Sequence, residues 1–329
     1  MENVILEGGR GRFIGYLLAL TMLIIFLLVF PQIASSYGIV LVTEVFIYAI
    51  FALSLNLLLG YAGLPSLGHS AFFGVSGYTI AILVTKGGMT NFWLCLLAAL
   101  LVAAMLGFVF GFLAIRTFGI FFLMLTFALA QFVWAVIWSW RSLTQGDDGL
   151  PGIIRSGLVF PISIQSDINF YYFVLFFLAL SMFLLYRICH SPFGYVLQGI
   201  RESETRMQVL GYHTWKYKYV SFILAGVFGG LAGSLKAYQD GFVSPLYANV
   251  FTSGMALLMC LTGGTRVFIG PAIGAVVIWL IRGIVSSYTE NWSLVLGVIF
   301  IFVVMFARHG IGGYLIQLDR MINRARTKS

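Results

Sequence analysis

Charge is what this chain has least of. Asp, Glu, Lys and Arg make up 9% of its 329 residues and hydrophobic residues 60%, whereas soluble domains carry about 25% charged residues. So few charges cannot cover a water-soluble protein of this length. The apolar residues come in long blocks, matched to the ~30 Å hydrocarbon core of a bilayer. The apolar/polar alternation of a membrane β-barrel strand is missing too, so the blocks are helices, the other structure that satisfies every backbone group in lipid. The expected fold class is all-α, a polytopic integral membrane protein.

Other absences narrow the function. Cys95, Cys189 and Cys260 lie in or beside apolar blocks, at spacings that fit no disulfide framework and no zinc site, and read as small buried hydrophobes. There is no GxxxxGK[ST], so the chain does not bind ATP through a P-loop. No HExxH, intramembrane carboxylate pair or Cys/His cluster is present either, so no metal and no cofactor are expected. No basic run is interleaved with aromatics, which removes nucleic acid as a partner.

The blocks predict ten transmembrane helices, at 13–31, 39–59, 71–86, 92–115, 119–140, 169–188, 218–239, 249–263, 267–288 and 292–308. Arg10 and Arg12 precede the first block as in a signal peptide. However, the block is long for one and "PQIASS" (31–36) is a poor cleavage site, so a membrane helix is expected. An even count puts both termini on one side. With that side cytoplasmic, fourteen of the nineteen Lys and Arg lie on inner segments, while Lys86, Arg141, Arg155, Lys236 and Arg282 fall outside or near outer helix ends. The organisation read from this is a cytoplasmic segment 1–12, a membrane domain 13–308 with a polar connection at 189–217, and a basic cytoplasmic tail 309–329.

Glycine is plentiful, with 37 residues. Gly107/Gly111, Gly226/Gly230, Gly229/Gly233 and Gly270/Gly274 have the GxxxG spacing that lets helices approach closely, either within this subunit or at a seam with another. "LLLGYAGLPSLGHSAFFG" (57–74) holds Pro65 and four glycines, and no continuous helix suits it. A broken segment at membrane depth is tolerated where it lines protein or a water-filled path. Asn56, Ser66, His69 and Gln131 are the deeper polar residues and the candidate path contacts, with inter-helix hydrogen bonding as their plainer role. Glu44, Lys236, Asp240 and Arg282 read as lying toward the outer ends, so a secondary transporter with charges near the midplane is disfavoured.

"GVSG" (74–77) matches the GxSG motif of intramembrane serine proteases. A protease needs a histidine at similar depth. His190, His213 and His309 lie at or beyond cytoplasmic ends, and His69 is separated from Ser76 by the break. Small-residue packing is the expected role of Ser76, and the chain is not expected to be an enzyme.

"GIRESETRMQVLGYHTWKYK" (199–218) is a polar island with six charged residues. One helix is expected over 191–211, with Ser191 as N-cap, Pro192 in the first turn and Gly211 in the left-handed position after its end. Phe193, Val196, Leu197, Ile200, Met207 and Leu210 form the stripe facing the membrane domain, with a gap at Ser203/Glu204; Gln198, Arg201, Glu202, Thr205 and Gln208 face away. Glu202 and Arg206 are placed to pair at i,i+4, worth ~0.2–0.5 kcal/mol. An ordinary solvated loop is the alternative.

Five blocks, "LNLLLGYAGLPSLGHSAFFG" (55–74), "RTFGIFFLMLTFALAQ" (116–131), "GDDGLPGI" (146–153), "SPFGYVLQGIRESETRMQVLGY" (191–212) and "LTGGTRVFIGPAIGA" (261–275), occur in an order that resembles the permease subunits of bacterial ABC importers for branched-chain and other hydrophobic amino acids. The resemblance spans roughly 40–310 and is nearest to the LivM-type subunit. It implies a place in the bacterial inner membrane, a second permease of LivH type, two cytosolic ABC ATPases that hydrolyse the ATP, a periplasmic substrate-binding protein and a small-molecule substrate. It also implies that the polar island docks on the ATPase. The family's loop reads Arg-Glu-x-Glu-x-Arg-Ala-Glu-Ala-Leu-Gly; Arg201, Glu202, Glu204, Arg206, Leu210 and Gly211 match it, and Met207, Gln208 and Val209 depart from it. Related permeases import urea, short amides or aromatic acids, so the substrate stays open.

Overall fold

The computed structural model describes residues 21–22, 25–155 and 164–288, with isolated positions between 294 and 311. The segment 1–12, much of the expected spans 13–31 and 292–308, and nearly all of the tail 309–329 lie outside the described residues.

Helices dominate. We number them α1 Ser36–Asn56, α2 His69–Thr85, α3 Phe92–Ala114, α4 Ile120–Ser139, α5 Asp167–Cys189, α6 Pro192–Glu202, α7 Glu204–Val209, α8 Thr214–Asp240, α9 Val250–Gly263 and α10 Gly270–Tyr288. With its continuation to Ala62, α1 is long and apolar enough to cross a membrane, as are α3, α4, α5 and α8; α2, α9 and α10 are shorter apolar helices. These eight correspond to eight of the ten expected spans, with ends shifted by a few residues. The chain is an all-α polytopic membrane protein. Among the described residues, β-structure is confined to a short antiparallel ribbon in which Leu150 faces Val243 and Pro151 faces Phe242.

The helix starts follow from local chemistry. Ser35, Asn91, Ser166 and Asn249 each cap a helix by accepting a hydrogen bond from one of its first backbone N–H groups. These groups would otherwise be unpaired in a low-dielectric surrounding. Gly241, at φ 64°, ends α8 in the left-handed conformation.

α8 runs through the centre, against α1, α2 and α3. Its glycines make this possible. A methyl group added at Gly233 would overlap the Phe73 carbonyl, and one at Gly230 would overlap the Ser76 hydroxyl; Gly226 and Gly229 lie under Phe72 and His69. Gly107 and Gly111 of α3 receive Ile223 and Tyr219 of α8, and Gly270 and Gly274 seat α10 on the end of α9. All four GxxxG pairs therefore pack within this subunit. Gly233→Ala is expected to destabilise the protein by ~1–3 kcal/mol through overpacking, read as a lower thermal midpoint in detergent. Gly88→Ala, where an added methyl meets nothing within 4 Å but φ is 61°, should cost only the ~1–2 kcal/mol of a left-handed alanine. Outward, Trp93, Leu97, Leu101, Met105 and Phe108 form an exposed apolar stripe along α3, as expected of a helix that meets lipid.

Candidate functional site

The break expected in 57–74 is real. After Asn56, α1 widens into a π-helical turn, Leu57–Ala62, closed by Gly63 at φ 71°. Such widened turns inside helices recur at functional positions. Residues 63–68 are not helical, and α2 begins at His69.

The four candidate path residues fall differently around this break. Ser66 and His69 are fully buried within the chain. The Ser66 hydroxyl accepts from the Gly68 N–H. His69 Nε2 lies 2.8 Å from the Ser54 hydroxyl, which donates its proton to the Phe51 carbonyl. Nε2 must then be the ring's donor, and Nδ1, an acceptor, is buried without a hydrogen-bond partner. Asn56 is 2% exposed, and its Oδ1 likewise has no hydrogen-bond partner. Gln131 is half-buried on α4, away from this pair in sequence and element. The break thus carries two unanswered acceptors rather than four converging contacts. The GVSG serine is not activated: Ser76 is buried against Gly230 and donates to the Ala99 carbonyl, while His69 is committed to Ser54.

The polar island departs from the single helix expected over 191–211. α6 and α7 are separate helices, divided at Ser203, whose backbone is extended (φ −162°, ψ 102°). Serine is a preferred N-cap, and here the Ser203 hydroxyl accepts from the Arg206 N–H and starts the second helix. The outer caps are as expected: Ser191 accepts from the Gly194 N–H with Pro192 in the first turn, and Gly211 has φ 87°.

The division redistributes the side chains. Val196, Leu197 and Ile200 are buried as expected, but Leu210 is 65% exposed and leaves the buried stripe; Val209 beside it is 83% exposed. Arg201, expected to face away, turns inward. Its Nη1 donates to the Gly60 carbonyl in the π-helical turn, and its stem lies over Gly63. Glu204 accepts from buried Lys218 at 2.5 Å. Glu202 and Arg206 no longer share one helix, and no ion pair joins them among the described residues. Both are exposed. What the island presents outward is therefore Glu202 and Arg206 beside an apolar groove of about 760 Å³, lined by Phe193, Tyr195, Val196, Met207, Leu210 and Tyr217 among others.

One contact and one cluster escaped sequence reasoning. Gly60 and Gly63 hint at room for a long side chain, but nothing in the sequence pairs them with a residue 141 positions away. Glu44, Lys236, Asp240 and Arg282, read singly as outer-end charges, form one group that ties α1, α8 and α10 together.

The sequence pattern of the family described as "Branched-chain amino acid transport system / permease component" matches residues 38–304. The chain belongs to this family. The permease is 28% identical to the high-affinity branched-chain amino acid transport system permease protein LivM of Salmonella typhimurium, over 93% of this chain and 77% of that one. It is 27% identical, with the same coverage, to the LivM protein of Escherichia coli K12. No solved structure matches it. The break, the polar island and the charged group all lie within the matched residues. Family members are transport subunits rather than enzymes, in keeping with Ser76 held as a packing residue.

Proposed function

We propose that this permease is one membrane half of an ATP-driven importer for branched-chain or other hydrophobic amino acids. It would work with a second permease of LivH type, two cytosolic ABC ATPases and a periplasmic binding protein, and both its termini would be cytoplasmic. The observation that carries this reading is the Arg201 contact. A doubly capped, surface-exposed helix pair is tied by a half-buried guanidinium hydrogen bond to the turn that opens the membrane break.

The sequence of events follows from differential binding of two states. ATP binding draws the ATPases together, and the docked α6–α7 pair moves with them. The docking face is the apolar groove with Val209 and Leu210, flanked by Glu202 and Arg206. Arg201 carries the movement to Gly60, and the break re-packs. Asn56, Ser66 and His69 are the break's own polar groups, and Gln131 on α4 is a further candidate contact; the unpartnered Asn56 Oδ1 and His69 Nδ1 are free to accept from a passing ammonium or from water. This chain supplies half of a path and one lever, and performs no covalent chemistry.

The test is uptake of radiolabelled L-leucine by cells that lack their own leucine transport and express this permease with the subunits encoded beside it. Uptake that requires the binding protein and is competed by valine and isoleucine supports the reading. Uptake of urea or acetamide in place of leucine would move the substrate class to the related permeases. Orientation is tested separately in a cysteine-free version. Cysteine replacing exposed Asp148 should react with an impermeant maleimide added outside intact cells, and cysteine replacing exposed Thr205 should not.

A further inference from the structure

A chain with so few charges places four of them together in its membrane domain. Lys236 Nζ lies 2.6 Å from Glu44 Oε1 and 2.8 Å from Asp240 Oδ1, and Arg282 Nη1 lies 4.0 Å from the same Glu44 oxygen. The Tyr247 hydroxyl donates to Asp240. The group sits toward the far end of α8 from the α6–α7 pair: Lys236 is 18 residues beyond Lys218, the partner of Glu204, or about 27 Å at ~1.5 Å per residue.

Stability is a poor reason for this arrangement, because buried ion pairs contribute little beyond what apolar residues of similar volume provide. Its shape suggests another. Lys236 is closed in, with 8% of its side chain exposed, whereas Glu44, Asp240 and Arg282 keep 21%, 32% and 34%. The group is thus anchored from within and open on its other side, with two charges of each sign. A buried aromatic pair backs it: Tyr48 stacks on Trp279, itself 3% exposed, at 4.2 Å, and the Arg282 guanidinium lies 4.5 Å above the Trp279 ring. Next to Asp240, Gln239 is 9% exposed. Its amide N–H₂ donates to the Val40 carbonyl, and its Oε1 is buried with no hydrogen-bond partner.

We propose that this cluster is the outer subsite that receives the ammonium and carboxylate groups of an entering amino acid. The inference rests on the amino-acid import reading above. The ammonium group pairs with Glu44 and Asp240, and the carboxylate with Arg282. Dehydrating either charged group costs several kcal/mol unless an opposite charge receives it. A zwitterion adds no net charge to a neutral cluster, and Glu44 and Asp240 keep Lys236 while sharing their more exposed edges with the ammonium, so no buried charge loses its partner. A molecule bearing a single charge unbalances it.

The experiment is equilibrium binding of tritiated L-leucine to the assembled transporter in nanodiscs, without binding protein, expressed per assembled complex. We expect Asp240→Asn, Glu44→Gln and Arg282→Gln each to weaken leucine binding at least tenfold. We also expect 4-methylpentanoate and isoamylamine, which each carry one charge, to compete at least tenfold more weakly than leucine. A purely structural cluster would change the yield of complex and leave the affinity per complex unchanged. Arg282, the most exposed member, keeps the test open if the other variants fail to assemble. Unchanged affinity in the variants that assemble overturns the proposal, as does undetectable leucine binding by a wild-type complex that imports leucine. A wild-type complex that imports urea and no leucine would instead remove the reading on which the proposal rests.

Discussion

Arg201→Ala is expected to cut leucine uptake about 10- to 100-fold while the permease still assembles with its ATPases. Arg201 does not belong to the outward face of the polar island; it is half-buried, with its guanidinium on the Gly60 carbonyl. A hydrogen bond to a charged donor contributes about 1.5–3 kcal/mol, and each ~1.4 kcal/mol of bias between two states is tenfold in their ratio. Losing the bond frees the π-helical turn from the α6–α7 pair, so ATP hydrolysis continues with less transport per ATP. Arg201→Lys can still reach one carbonyl with its ammonium and should recover part of the uptake. The measurement is leucine moved per ATP hydrolysed in vesicles. An unchanged ratio in Arg201→Ala would mean that the contact is packing only.

Val209→Glu combined with Leu210→Glu is expected to strip the ATPases from the purified complex. These two residues are 83% and 65% exposed in the isolated chain, and large apolar side chains exposed together beside a groove mark a contact surface. Burying two unpaired carboxylates there costs several kcal/mol, at least 100-fold in affinity. Membrane insertion should be unaffected, because neither side chain packs in the core. Glu204→Arg would be a poor probe of docking, since it breaks the internal pair with Lys218. The exposed charges Glu202 and Arg206 are better suited; reversing both should slow association and change its salt dependence more than it weakens the final complex. ATPase recovery with the Val209/Leu210 variant equal to wild type would exclude this surface from the interface.

The sequence carried the architecture well because bilayer thickness converts directly into block length, and the missing apolar/polar alternation separates helix from barrel. The break was legible for a similar reason: Pro65 among glycines cannot continue a helix. The caps Ser191, Pro192 and Gly211 were legible because they act within one turn of chain. The island's interior was not. The apolar stripe across 191–211 skips one turn at Ser203/Glu204, a gap that a single helix tolerates, and the break at Ser203 depends on one hydroxyl capping the next helix while Arg201 reaches the π-helical turn. The direction of Arg201 and the pairing of Glu204 with Lys218 are tertiary facts with no local signature. The same holds for Lys236. Its neighbours on α8 suggested an outer-end charge, and only the approach of α1 and α10 makes it the centre of a group.

The claim that a cytosolic ATPase drives this permease through the α6–α7 pair is tested most directly by cross-linking in intact membranes. In a cysteine-free permease, a cysteine at exposed Thr205 should join a short bismaleimide to the ATPase subunit, and the product should change in amount when ATP binding is locked by a non-hydrolysable analogue. A cysteine at Asp148, on the opposite face, should give no such product. A transport-competent complex in which position 205 fails to cross-link, or reacts with impermeant reagent from outside, would contradict the account.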